Sequence, residues 1–106
     1  MQCGIACLRM VCKFYGKSFS IDYLSKCCYA TNEGVSLLGI SDAAKKIGFN
    51  TIGGYVTIKQ LENTILPCIL HWNQNHFVVL YNINNANYYI ADPSKGLIKY
   101  RSEERR

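Results

Sequence analysis

Three side chains whose types together suit amide cleavage occur in this sequence in the order thiol, imidazole, carboxylate: Cys3, His76 and Asp92. An amide carbonyl requires a nucleophile stronger than a neutral thiol. An imidazole takes the thiol proton and later returns one to the leaving amine. A carboxylate fixes the imidazole tautomer and stabilises the imidazolium. Cys3 stands directly before Gly4 and the first apolar run of helical spacing, which predicts a place at or near a helix N-terminus. There the unpaired N–H groups and the macrodipole favour a thiolate, and the same N–H groups suit the oxyanion of a tetrahedral intermediate.

Each of the three also has a plainer explanation. A cysteine near a helix start is weak evidence alone, His76 suits a strand edge, and Asp92 suits a turn before Pro93 and Gly96. The positions of His76 and Asp92 favour the chemical account. They are symmetric about Asn84 in an asparagine-rich stretch, so a hairpin turning there pairs His76 with Asp92, Val78 with Ile90 and Leu80 with Tyr88 on one face. A slip of one residue would send the two to opposite faces. His71, beside Trp72, is expected in a strand or cleft, with substrate contact as its alternative role. Cys7 and Cys12 lie deeper in the first helix as buried thiols. A zinc site is disfavoured, because the sequence has no Cys-x-x-Cys pair and adjacent Cys27 and Cys28 are poor co-ligands.

The elements that must carry these residues divide by halves. Ile5, Leu8, Val11, Cys12 and Tyr15 fall at helical spacing, with Gly16 as the stop. Ile21 to Cys28 is a second helix with Ser20 as N-cap. Ser36 precedes a third helix, with Leu37, Ile40, Ala44 and Ile47 on one face and Gly48 at its end. A short fourth helix covers Ile58 to Ile65, before Pro67. Strands are predicted at Phe49 to Val56, Cys68 to Trp72, Phe77 to Ile83, Asn87 to Ala91 and Leu97 to Arg101. Helices first and an antiparallel sheet after give an α+β fold.

Composition narrows the class. A length of 106 residues suits one domain, residues 1–106. The net charge of +5 comes from scattered basic residues, without the basic stripe and interleaved aromatics of a nucleic-acid surface, so no nucleic-acid partner is expected. Six cysteines are a smaller share than a disulfide scaffold carries. With no basic n-region leading into an apolar h-region, they point to a reducing, cytosolic setting. No apolar run is long enough to span a bilayer. No cofactor is implied.

Several runs resemble one family. Gln2-Cys3-Gly4-Ile5-Ala6-Cys7-Leu8-Arg9-Met10 with Tyr15-Gly16, then Gly34-Val35-Ser36, Leu38-Gly39, Ala43-Ala44 and Gly48, are similar in order and spacing to the bacteriocin-processing peptidase domain of ABC transporters. So are Leu66-Pro67-Cys68-Ile69, His71-Trp72, His76-Phe77-Val78-Val79-Leu80 and Ile90-Ala91-Asp92-Pro93 with Gly96. The resemblance implies a papain-like cysteine peptidase with Cys3 as nucleophile, His76 as base and Asp92 as third member. It implies a substrate that is a secreted peptide precursor with a double-glycine leader. The domain would sit on the cytoplasmic face of the bacterial membrane, with the transmembrane and ATP-binding domains of a parent transporter as partners. A docking domain without catalysis, and a papain-like hydrolase acting on another amide, are the alternatives. The family also carries an oxyanion-hole glutamine several residues before its nucleophile. Gln2 is adjacent to Cys3 and does not occupy that position: either the sequence is trimmed ahead of it or this copy lacks the residue, and loss of one such donor costs about 10²–10³ in kcat.

Overall fold

The computed structural model describes residues 3–28, 30–31, 34–35, 37–51, 58–73 and 76–101, with the backbone alone for Cys3, Ala30, Thr31, Gly34, Val35, Leu37, Ile58, Lys59, Trp72 and Asn73. Helix α1 spans Cys3–Phe14, α2 Ile21–Cys27, α3 Leu37–Lys46 and α4 Ile58–Leu61. Strands β1 (Ala30–Thr31) and β2 (Gly34–Val35) form a small two-stranded ladder that the sequence pattern did not predict. Strands β3 (Cys68–Asn73), β4 (His76–Asn84), β5 (Asn87–Asp92) and β6 (Gly96–Arg101) form an antiparallel sheet in that order. The α+β class and the order of helices before sheet agree with expectation.

The helix ends follow their caps. Ser20 Oγ accepts the Tyr23 N–H at 3.0 Å, closing the first turn of α2. Both α1 and α3 end with a glycine in the left-handed region, Gly16 at φ 79° and Gly48 at φ 107°. The N–H groups of Gly16 and Lys17 return to Lys13 and Cys12, and those of Gly48 and Phe49 to Lys45 and Ala44. These are paired Schellman bonds that satisfy the last carbonyls. Helix α4 is shorter than expected. It ends at Leu61 in turns closed by Asn63 N–H to Gln60 and Thr64 N–H to Leu61, and the Thr64 hydroxyl also donates to the Gln60 carbonyl, competing with helix continuation. The strand expected over Phe49 to Val56 is not formed at 49–51, and residues 52–56 lie outside the described residues, as does Ser36.

Two apolar clusters sandwich β4. One joins Ile5, Leu8 and Cys12 of α1, Leu24 of α2 and Ile40, Ala43 and Ala44 of α3 to Phe77 and Val79. The other joins Leu61 to Val78, Leu80, Tyr88 and Ile90. Successive residues of a strand face opposite sides, so Phe77 to Leu80 are all buried. Each buried aliphatic side chain stabilises the fold by roughly 1.5–3 kcal/mol. Strand β6, at one edge of the sheet, is the most exposed strand of the four-stranded sheet.

The hairpin register differs from the expected one. The tight turn is Asn85-Ala86, both at positive φ (53° and 68°), with Asn84 opposite Asn87. Positive φ at both central residues is the twist that two-residue hairpins require. Past a bulge between Leu80 and Asn82, the ladder pairs Leu80 with Ile90 and Val79 with Ala91. The expected pairs Val78–Ile90 and Leu80–Tyr88 are therefore incorrect, and His76 does not lie directly opposite Asp92.

Candidate active site

His76 opens β4 and Asp92 closes β5. Their side chains nevertheless meet: His76 Nε2 stands 2.9 Å from Asp92 Oδ1. Continuing the β4–β5 ladder by one step puts Val78 across from Asp92, so the pair is a diagonal one, offset by two residues on one face. Diagonal neighbours are within reach of long side chains. With an acidic partner, Nε2 carries the proton and donates it, which leaves Nδ1 as the nitrogen available to take a proton.

Asp92 is only 5% exposed, and a buried carboxylate must be paired and hydrogen-bonded. Besides the imidazole, Oδ1 accepts the backbone N–H groups of Ser94 at 2.8 Å and Lys95 at 3.3 Å. Burial by itself pushes the Asp92 carboxyl upward. The hydrogen bond from His76, the Ser94 N–H, the charge of His76 and the Lys95 N–H outweigh it and hold the group below its usual value. These backbone donors are not among the partners expected from the sequence. The signal was present in Asp92-Pro93-Ser94-Lys95, because an aspartate ahead of a turn bonds the N–H two residues on.

Cys3 is the first residue of α1, as expected from Gly4 and the apolar run, and its side chain lies outside the described residues. The start of α1 packs at the start of β4. An ideal Cβ built on Gly4 would stand 3.3 Å from the Phe77 ring and 2.7 Å from Ile40 Cδ1. The residues next in sequence to Gly4 and Phe77 are Cys3 and His76. His71 sits on β3 opposite Phe77 and stacks on its ring, with centroids 4.6 Å apart.

The other thiols are of a different kind. Cys7, Cys12 and Cys28 are buried. Burial raises Cys12 against the opposing charge of Lys17, and it raises Cys28. Burial pushes Cys68 up to about 11. Such thiols are poor nucleophiles. Among the described residues, no three His, Cys, Asp or Glu side chains converge to hold a metal, and no helix is long and apolar enough to cross a membrane.

Residues 1–105 match the Peptidase C39 family. The chain belongs to this family of cysteine peptidases. Among its relatives, the Colicin V secretion/processing ATP-binding protein CvaB of Escherichia coli is 37% identical over 103 residues. That alignment takes in 97% of this chain and 15% of CvaB, so the chain spans about one-seventh of that C39 relative's length. The crystal structure of a double glycine motif protease from an AMS/PCAT transporter, in complex with the leader peptide, superposes with a TM-score of 0.89 at 36% identity, covering 97% of this chain and 74% of that one. The peptidase domain of Streptococcus ComA, a bi-functional ABC transporter of a quorum sensing pathway, gives 0.83 at 33% identity, covering 98% and 82%. The C39 chain thus has the papain-like fold of these domains, three helices packed on a four-stranded antiparallel sheet.

Proposed function

We propose that this C39 chain is the peptidase domain, residues 1–106, of an ABC transporter, and that Cys3, His76 and Asp92 form its catalytic triad. The substrate is a secreted peptide precursor, cut after the two glycines that end its leader. The transmembrane and ATP-binding domains of the same transporter then export the product, with the peptidase at the cytoplasmic face of the bacterial membrane. The names of the transporters and of the leader complex reported above support this substrate and setting.

The observation that carries the triad is the His76–Asp92 bond, with Nε2 engaged and Nδ1 left over. Nδ1 takes the proton of Cys3, and the helix start favours the resulting thiolate. Sγ bonds to the carbonyl carbon of the second glycine, and the C=O pair moves to oxygen as an oxyanion. When the oxyanion collapses, the C–N bond breaks and the imidazolium gives its proton to the leaving amine. The mature peptide departs and a thioester remains. Water, losing a proton to Nδ1, then attacks the thioester; the C–S bond breaks and the leader leaves as a carboxylate. Asp92 stays ionised throughout and holds the ring. Two glycines suit a narrow cleft, where side chains would clash.

The test is cleavage of a precursor ending its leader in Gly-Gly, by the protein and by its Cys3→Ala variant. The parent should cut once, after the second glycine, and the variant should not cut. Equal cleavage by both would overturn the triad, and equal cleavage of a precursor without the glycines would overturn the substrate class.

A further inference from the structure

Gly4 is buried at the point where three elements meet. A Cβ there would lie 2.7 Å from Ile40 Cδ1 and 3.4 Å from Cγ1 on α3, and 3.3 Å from Phe77 Cδ2 on β4. Ile40 Cδ1 is the end of a side chain that can yield only by turning within the core, and the Phe77 ring would have to give by a few tenths of an ångström. Ile40 and Phe77 are each 4% exposed, and the His71 ring lies stacked on Phe77. Carbon atoms pack comfortably at about 3.5–4.0 Å, so a methyl at position 4 requires either that Ile40 turn to a new rotamer or that the first turn of α1 move back by up to about 1 Å. Position 4 does not require glycine for its backbone: its φ is not in the left-handed region, unlike Gly16, Gly48 and Gly96. The requirement is for close approach.

We propose that Gly4 is a positioning residue for Cys3: the missing side chain lets the start of α1 seat on Ile40 and Phe77, and this sets the separation between the thiol of Cys3 and the imidazole of His76. The inference rests on the triad proposed above. Cys3 precedes Gly4 on the helix and His76 precedes Phe77 on the strand, with the His76 side chain on the other face from Phe77, so the Gly4–Phe77 approach sets the backbone separation across which the two reacting groups must meet. A misplacement of about 1 Å costs about 100-fold in rate. Widening a thiolate–imidazolium pair also raises the thiol pKa.

The experiment measures alkylation of Cys3 by iodoacetamide against pH, site by site by mass spectrometry, with thermal melts to monitor folding. Gly4→Ala should slow Cys3 alkylation at pH 6 at least tenfold and move its titration up by about one unit. Cleavage of the Gly-Gly precursor should lose about 30–100-fold in kcat with KM within about twofold. Ile40→Val removes the one atom in closest conflict, so Gly4→Ala with Ile40→Val should return to within about threefold of Ile40→Val alone. A parental alkylation profile in Gly4→Ala, a defect the second substitution fails to relieve, or a rise in KM alone would each overturn the role of Gly4. So would a double variant that does not fold. Failure of the triad is read separately: it is shown by His76→Ala leaving the Cys3 alkylation profile unchanged in the Gly4 background.

Discussion

His76 and Asp92 are joined across a diagonal of the sheet, not across a rung. Val79 pairs with Ala91, so the next rung sets Val78 across from Asp92 and the imidazole must reach two residues along the strand to find the carboxylate. The far nitrogen of the ring makes that reach, at 2.9 Å. Nε2 faces the carboxylate, which leaves Nδ1 as the nitrogen for the proton transfer proposed above.

Removal of the proposed base is the most direct test of this role. His76→Ala should lower kcat by about 10³–10⁴. His76 is partly exposed at the end of its strand, so the thermal midpoint should move by only a few degrees. A variant with more than a tenth of the parental kcat would show that another group serves as base.

Asp92 can be tested with two substitutions of unequal effect. Asparagine keeps an oxygen for the Nε2 proton and for the N–H groups of Ser94 and Lys95, so Asp92→Asn should cost about tenfold in kcat. Alanine leaves all three donors without their acceptor, and Asp92→Ala should cost about 10²–10³ and destabilise the fold by about 1–3 kcal/mol. Steady-state kinetics and urea melts give both numbers. Equal kinetics for the two variants would mean that the acceptor oxygen does not matter.

The acid side of the stability profile follows from the same carboxylate. Its folded-state pKa lies below 3.8. A group depressed in this way contributes stability that is fully present above its unfolded value and is lost as pH falls through the folded value. Asp92→Asn removes that contribution. The stability gap between parent and variant should therefore be widest near neutrality and close below about pH 4. Urea denaturation at neutral and acid pH measures it, and a gap that widens toward acid would contradict the carboxylate's pairing.

Thiol chemistry should be selective. At pH 7 a thiol with a pKa of about 11 is ionised to only about one part in 10⁴, against a few per cent for an unperturbed cysteine. Cys68 should therefore stay unmodified while iodoacetamide consumes Cys3, and Cys12 and Cys28, both raised by burial, should behave like Cys68. Peptide mapping after brief alkylation shows the order. Cys68 reacting before Cys3 would remove the case for an activated thiol at the helix start.

The hairpin turn offers a stabilising change remote from the chemistry. Ala86 holds φ at 68°, a conformation that costs a side-chain-bearing residue about 1–2 kcal/mol. Glycine removes that cost but gives up about 0.5–1 kcal/mol of chain entropy. Ala86→Gly should thus raise stability by up to about 1 kcal/mol and leave kcat unchanged. A lower thermal midpoint would be the contrary result.

Much of this fold was legible because caps and periodicity agree. Ser20, Gly16 and Gly48 mark helix ends where the structure has them, and the four sheet strands fall within a residue of their expected bounds. Register was not legible. Residues Asn84, Asn85, Ala86 and Asn87 offer several places to turn, and nothing in Leu80-Tyr81-Asn82 announces a bulge. The later turn moves the partners three residues along and the bulge takes one back. The net shift is even, so His76 and Asp92 kept a common face although the expected rung was wrong. The site pair was therefore found through a register that does not exist. The role of Gly4 was illegible for another reason: close approach between α1, α3 and β4 is a property of packing, and no local pattern encodes it.

Strand β4 is covered on both faces from Phe77 to Leu80. Its amides should be among the last to exchange with deuterium, at a free energy close to that of global unfolding. His76 is fastened to the end of this slowest-opening segment, so the ring keeps its place while looser parts of the chain breathe. The proposed proton carrier is in effect bolted to the keel, and a peptide arriving beside it would meet an imidazole already aimed.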